Sequence, residues 1–272
     1  MAFECVNELQ ARPARVEAVV LSLRTMGGSI GQADLAQLIA PDGKGAAVES
    51  VLRVLEHLGA VRCAGAEVRL EKAWREGDLE EVRWKFATGL LRAATAEDTN
   101  VRFSRFYAWL LCRPEVTHRP GDTKDVVADF NNELSLASDD GFNAEKVGPF
   151  EAWVETFGLG WIPAGFPVQP VPTDLLARDV PRAFKRKSMD AHAFVRELAT
   201  RWPFLDGGAI FRMIPGHARF DTRLTPGLSA ALRELHDAGV VTLETGHDVA
   251  SDVKLADQQH SIMSFHKVVL RP

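Results

Sequence analysis

An internal repeat restricts the fold more than any other feature of this sequence. LRVLEHLGAV (Leu52 to Val61) and LRELHDAGVV (Leu232 to Val241) align without a gap, with five of ten positions identical at a constant offset of 180 residues. Leu52 pairs with Leu232, Arg53 with Arg233, Leu55 with Leu235, Gly59 with Gly239 and Val61 with Val241. Leucines at i and i+3, then glycine, then valine suit a helix that buries one face, stops in the left-handed region and turns into a strand. Any helix of this kind has those needs, so the flanking residues decide whether whole modules repeat.

Around the first copy the chain reads turn by turn. Pro13 suits a first helical position, Val16, Val19, Val20 and Leu23 make one face, and Gly27 with Gly28 supplies the stop. Ser29 is placed to cap a second helix with Leu35, Leu38 and Ile39 on its stripe, ended by Pro41, Gly43 and Gly45. Val48, Val51, Leu52, Leu55 and Leu58 mark a third helix, and Ala60–Cys63 with Glu67–Leu70 read as a two-stranded wing. Around the second copy, a helix with Phe194, Val195 and Leu198 ends at Trp202 and Pro203. Asp206 caps a short second helix through Ile210 and Phe211, Thr225 with Pro226 opens the third, and Val240–Leu243 with Ile262–Leu270 form the wing, joined by the polar loop 244–261.

The sequence therefore predicts a mainly α fold: a module at 1–70, a helical middle domain at 71–162, a Pro-rich basic linker at 163–188 and a second module at 189–272. Five of the six tryptophans lie between 74 and 161, as expected for a middle domain with an aromatic core. Pro163, Pro167, Pro170, Pro172 and Pro181 argue against helix and for a stiff extended connector. With 272 residues, 46% of them apolar, there is material for a sizeable core. The start has no basic-then-apolar leader and no stretch reaches membrane-spanning length, so a cytoplasmic protein is expected.

The sequence carries no familiar catalytic pattern. The eight histidines are scattered, the three cysteines (Cys5, Cys63, Cys112) are far apart, and no HExxH, CxxC or phosphate-loop spacing occurs. His236–Asp237 and His247–Asp248 are chain neighbours that do not face each other. Neither a metal nor a cofactor is expected, and the protein is read as non-enzymatic. An enzyme would have to use carboxylates of the middle domain near Asp125, Asp129, Asp139 and Asp140, with a metal dependence to match.

Charge separates the remaining trades. The chain is acidic, with 32 Lys+Arg against 37 Asp+Glu, where a nucleic-acid-binding domain often has a pI above about 9. The stretch 178–201 runs the other way, with seven basic and three acidic residues. The candidate duplex-DNA contacts are Arg182, Lys185, Arg186 and Lys187 in that run, Arg212, Arg219, Arg223 and Arg233 in the second module, and Lys44 and Arg53 in the first.

Three helices and a hairpin, at 13–70 and again at 189–270, resemble the winged helix-turn-helix superfamily, whose third helix is the usual recognition helix. Winged helices on acidic chains resemble the kite subunits of chromosome-organising ATPases, which grip protein. With the FGLGW motif (Phe157 to Trp161) in an aromatic helical middle, the chain also looks like winged-helix accessory proteins of bacterial anti-phage and DNA-modification islands of the 7-deazapurine-in-DNA type. That resemblance implies a non-catalytic, DNA-associated adaptor of a larger multi-protein complex. The alternative is a sequence-specific regulator, which as a homodimer would read a palindrome.

Overall fold

Glycines cut the first seventy residues where the periodicity predicts. Helix α1 (Pro13–Thr25) buries Val16, Val19, Val20 and Leu23 and gives way at Gly27 and Gly28, with φ of 77° and 95°, values that only glycine adopts at little cost. Strand β1 (Ser29–Gly31), α2 (Gln32–Ile39), α3 (Gly45–His57), β2 (Val61–Ala64) and β3 (Glu67–Leu70) follow, and the three strands form an antiparallel sheet in the order β1-β3-β2. Ser29 is thus not the cap of α2: it lies in β1 opposite Arg69, because the edge of the hairpin offers its backbone a ladder. Of the expected α2 stripe Leu35 is fully buried, while Leu38 is 52% exposed. The computed structural model describes residues 5–8, 10–39, 45–92, 101–136, 141–184, 187–217, 222–245, 252–256 and 262–271.

The middle is helical, as predicted. Helices α4 (Leu79–Leu91), α5 (Val101–Cys112), α6 (Pro114–Thr117), α7 (Val127–Glu133) and α8 (Ala144–Phe157) pack around aromatic rings. Phe106 stands at the centre, with centroids of Phe130, Phe142 and Phe150 4.5–4.9 Å away. Edge-on, tilted and stacked pairs of this kind add to the area term that dominates such a core. A two-stranded hairpin, β4 (Gly160–Trp161) with β5 (Gln169–Pro170), leaves the helical part.

The expectation of a structureless strap at 163–188 is corrected by α9 (Thr173–Ala183). Four of the five prolines precede its first turn, and Pro172 is its N-cap, so only Pro181 removes an intrahelical donor. Burial of Leu175, Leu176 and Val180 offsets that loss. After α9 come β6 (Ser188–Asp190), α10 (Ala191–Arg201), α11 (Pro226–Asp237), β7 (Val241–Glu244), the short pair β8 (Val253–Lys254) and β9 (Ser264–Phe265), and β10 (Lys267–Leu270). The sheet order β6-β10-β7, all antiparallel, matches β1-β3-β2 element for element.

This topology changes which helices correspond. Helix α9 is the counterpart of α1, and α10, read from sequence as the first helix of the second module, is the counterpart of α2. Ser29 aligns with Ser188 and the buried Leu35 with the buried Phe194, an offset of 159, whereas α3 and α11 keep the offset of 180. The change of register comes from a longer α10–α11 connection, which holds a 3-10 turn at Phe211–Met213. Asp206 does not cap that turn but binds Thr225 instead.

Helix α4 joins the two repeats. Its Arg83 donates to Glu17 of α1 at 2.8 Å, its Glu80 and Glu81 accept from Arg178 and Arg182 of α9 at 2.5 and 3.1 Å, and Arg92 just past its end meets Asp179 of α9 at 2.5 Å. Buried apolar residues from Cys5 to Val268 make one contiguous core. Among the described residues no helix is long and apolar enough to cross a membrane.

Candidate nucleic-acid and partner interfaces

The two third helices present opposite situations. Helix α3 exposes Glu49, Arg53, Glu56 and His57. Its one guanidinium, that of Arg53, donates Nε and Nη2 to the two carboxylate oxygens of Glu8 at 2.9 and 2.8 Å, and burial holds the His57 pKa below its ordinary value. That face is acidic or neutral at pH 7 and repels phosphate. The other basic side chains of its sheet are also paired, Arg62 with Glu71 and Arg69 with Glu67. Lys44 lies outside the described residues.

Helix α11 keeps one narrow open stripe, with Pro226, Glu234 and Asp237 exposed and Ala230 half-buried. Gly227, Leu228, Ser229, Ala231, Leu232, Arg233 and Leu235 are buried as it packs on α9 and α5. Its first turn touches the hairpin so closely that a Cβ on Gly227 would stand 1.9 Å from the Pro170 carbonyl oxygen. Arg233 is 6% exposed and donates Nε and Nη2 to the Ile262 carbonyl at 3.2 Å, so it is a tie between α11 and the strand pair beyond it, not a side chain offered to solvent. At the same end Thr225 caps α11 and is itself held by Asp206, whose carboxylate accepts from the Thr225 N–H at 2.6 Å and hydroxyl at 2.8 Å. Burial raises the Asp206 pKa to about 6.

The remaining cations collect along other edges of the second repeat. Arg223 and Lys254 are joined by an isolated parallel backbone bridge, and both are exposed. Lys187 accepts the Leu270 N–H on its carbonyl, which sets its exposed side chain beside the end of β10, where Arg271 follows. Arg212 on the 3-10 turn and Arg196 on α10 are exposed as well. Lys254 and Arg271 were missed from sequence, because the long polar loop gives no signal of where its backbone returns. Arg182 is diverted: besides Glu81 it covers the Trp84 ring, 4.9 Å from the centroid, a ring that Arg92 also approaches at 5.1 Å. Lys185, Arg186 and Arg219 lie outside the described residues.

The acidic middle is occupied by structure. Asp125 accepts from the Asp122 N–H in a capping box and Asp129 pairs with Arg119 at 3.0 Å, while Asp139 and Asp140 lie outside the described residues. His247, Asp248 and His260 lie outside them too. His236 uses Nδ1 to accept the Leu243 N–H at 3.0 Å, locking α11 to β7. Burial pushes the Cys63 thiol up to about 11 and raises that of Cys112 further, so both stay protonated and poorly nucleophilic at neutral pH. Among the described residues no group of three or more His, Cys, Asp or Glu is arranged to hold a metal ion.

A family model described as DpdG-like matches residues 4–249. No curated protein and no solved structure matches the chain.

Proposed function

The chain belongs to the DpdG-like family, and from this premise we propose that it is a non-catalytic adaptor subunit of a 7-deazapurine DNA modification system, with a role in anti-phage defence. In this reading each repeat is a winged helix, the first grips a larger protein of the system, and the second lays exposed cations against duplex phosphates. The observation that carries it is the asymmetry between the repeats. The first presents an acidic third helix with its arginine neutralised by Glu8, and the second keeps Lys187, Arg196, Arg212, Arg223, Lys254 and Arg271 exposed.

The same asymmetry argues against sequence-specific reading by either third helix. A recognition helix must lower its N-terminal side chains into the major groove, and the first turn of α11 packs at Gly227 on Pro170 while its open stripe carries the acidic Glu234 and Asp237. Contact would be through phosphates, weak alone and additive with the partner's own DNA binding.

Fluorescence anisotropy of the full chain with labelled duplex across a salt series tests this. Roughly four phosphate contacts give a logarithmic salt slope near −3.5, the same for any duplex sequence. A footprint confined to one short sequence would overturn the adaptor reading in favour of a regulator, and no binding at low salt would remove DNA from it.

A further inference from the structure

Of the FGLGW motif, four residues are spent on the fold. Phe157 and Leu159 are fully buried, Gly158 ends α8 with a φ of 69°, and the Leu159 carbonyl accepts from the buried Tyr107 hydroxyl at 2.7 Å. Gly160 holds β4 against β5, where a Cβ would stand 2.0 Å from the Gln169 carbonyl oxygen. The fifth residue, Trp161, is 49% exposed, whereas Trp109, Trp153 and Trp202 are at most 1% exposed. The motif therefore fixes a large aromatic side chain in the open.

Trp161 stands over a groove of about 530 Å³ between the middle helices and α11. The walls are apolar, from Leu110, Leu111, Pro170, Val171 and Ala230, and a groove of this size takes one or two large side chains. The walls are also stiff, since α11 and β5 approach backbone to backbone at Gly227 and the Gln169 amide is anchored on the Thr117 carbonyl at 2.6 Å. Among the described residues the exposed charges on the rim are acidic, beside the exposed His118. Glu234 and Asp237 are exposed there, Glu234 held in place by the Thr173 hydroxyl, and the arginine of the site, Arg233, is buried against Ile262.

We propose that this groove is a docking site for a segment of a partner protein that carries a large apolar anchor flanked by Lys or Arg. The anchor packs between Trp161 and Leu111 and the cation meets Glu234 and Asp237. An acidic rim excludes nucleic acid, so the groove is separate from the phosphate-binding edge. The proposal rests on the adaptor reading and gives it a second contact with protein, on the opposite repeat from the acidic α3 face.

The test is anisotropy of the full chain with a fluorescein-labelled decapeptide that holds two leucines and two arginines in a Gly-Ser frame, beside the same peptide with glutamates for arginines. The arginine peptide is expected to saturate, with binding roughly tenfold weaker for Trp161→Ala, for Asp237→Lys and for the glutamate peptide. Both substitutions are at exposed positions and leave the fold intact, which a melting curve checks. Equal binding of the two peptides, or an unchanged Trp161→Ala, overturns the proposal. So does a concentration-dependent doubling of mass in sedimentation that Trp161→Ala abolishes, because the occupant would then be a second copy of the chain. Loss of peptide binding with the DNA salt series intact counts against the groove alone; absence of DNA binding with peptide binding intact counts against the adaptor's DNA contact alone.

Discussion

Two buried carboxylates carry opposite consequences for stability. Asp206 is 2% exposed, and hydrogen bonds from the N–H and hydroxyl of Thr225 and from its own backbone only partly offset its lost hydration, so its folded pKa of about 6 lies above the ordinary 3.8. The folded state then binds more protons than the unfolded state between those values. Stability accordingly falls as pH rises from about 4 to 6, by on the order of 3 kcal/mol, and stays low above it. Urea midpoints taken across this range should show the decline in wild type, and Asp206→Asn should remove it; an equal pH dependence in both would sink the assignment. Asp179 is the contrary case. Its carboxylate is fully buried yet accepts from Arg92, from Arg201 at 2.5 and 2.8 Å and from the Trp202 indole at 2.8 Å. Asp179→Ala strands two guanidinium groups around Trp202 and should cost about 3–5 kcal/mol in urea unfolding, far more than removal of a surface pair such as Arg69–Glu67.

At the scale of elements, the informative position is Gly227 in the first turn of α11. Glycine in a helix is ordinarily worth replacing, since alanine gains up to about 1 kcal/mol of propensity. Here the added Cβ would meet the Pro170 carbonyl oxygen at 1.9 Å and Leu111 Cδ2 at 2.7 Å. Gly227→Ala should therefore lower the melting temperature, where propensity alone predicts a rise. This contact also explains what was legible in the sequence. Helices α1 and α3 and the hairpin β2–β3 were readable because each announces itself within ten or fifteen residues, through valine and leucine spacing and glycine stops. Helix α9 was not, because five prolines within nineteen residues outweigh an apolar stripe of Leu175, Leu176 and Val180, and only contact with α11 decides the matter. A different tertiary contact, with the Ile262 carbonyl, hid the burial of Arg233, since an arginine on a helix surface is normally exposed. Lys254 and Arg223 were brought together by a backbone bridge that no local pattern encodes.

Over the whole molecule, the acidic excess is not evenly spread. The middle segment 71–162 holds seventeen Asp+Glu against eleven Lys+Arg, while 1–70 holds eight against seven. An anionic body between two repeats steers duplex away from the centre and toward whichever repeat keeps unpaired cations. Since α4 ties both repeats to this body through Arg83–Glu17 and Arg92–Asp179, an arginine lost from either repeat is read against the same fixed background. The double substitution Arg196→Glu and Arg223→Glu should weaken duplex binding at least tenfold and make the salt slope shallower by about 2, one unit per phosphate contact. Arg53→Ala frees Glu8 without removing an available cation, so it should leave both affinity and slope unchanged in the same anisotropy titration. The reverse pattern, with Arg53 sensitive and the double variant silent, would assign DNA to the first repeat and protein to the second.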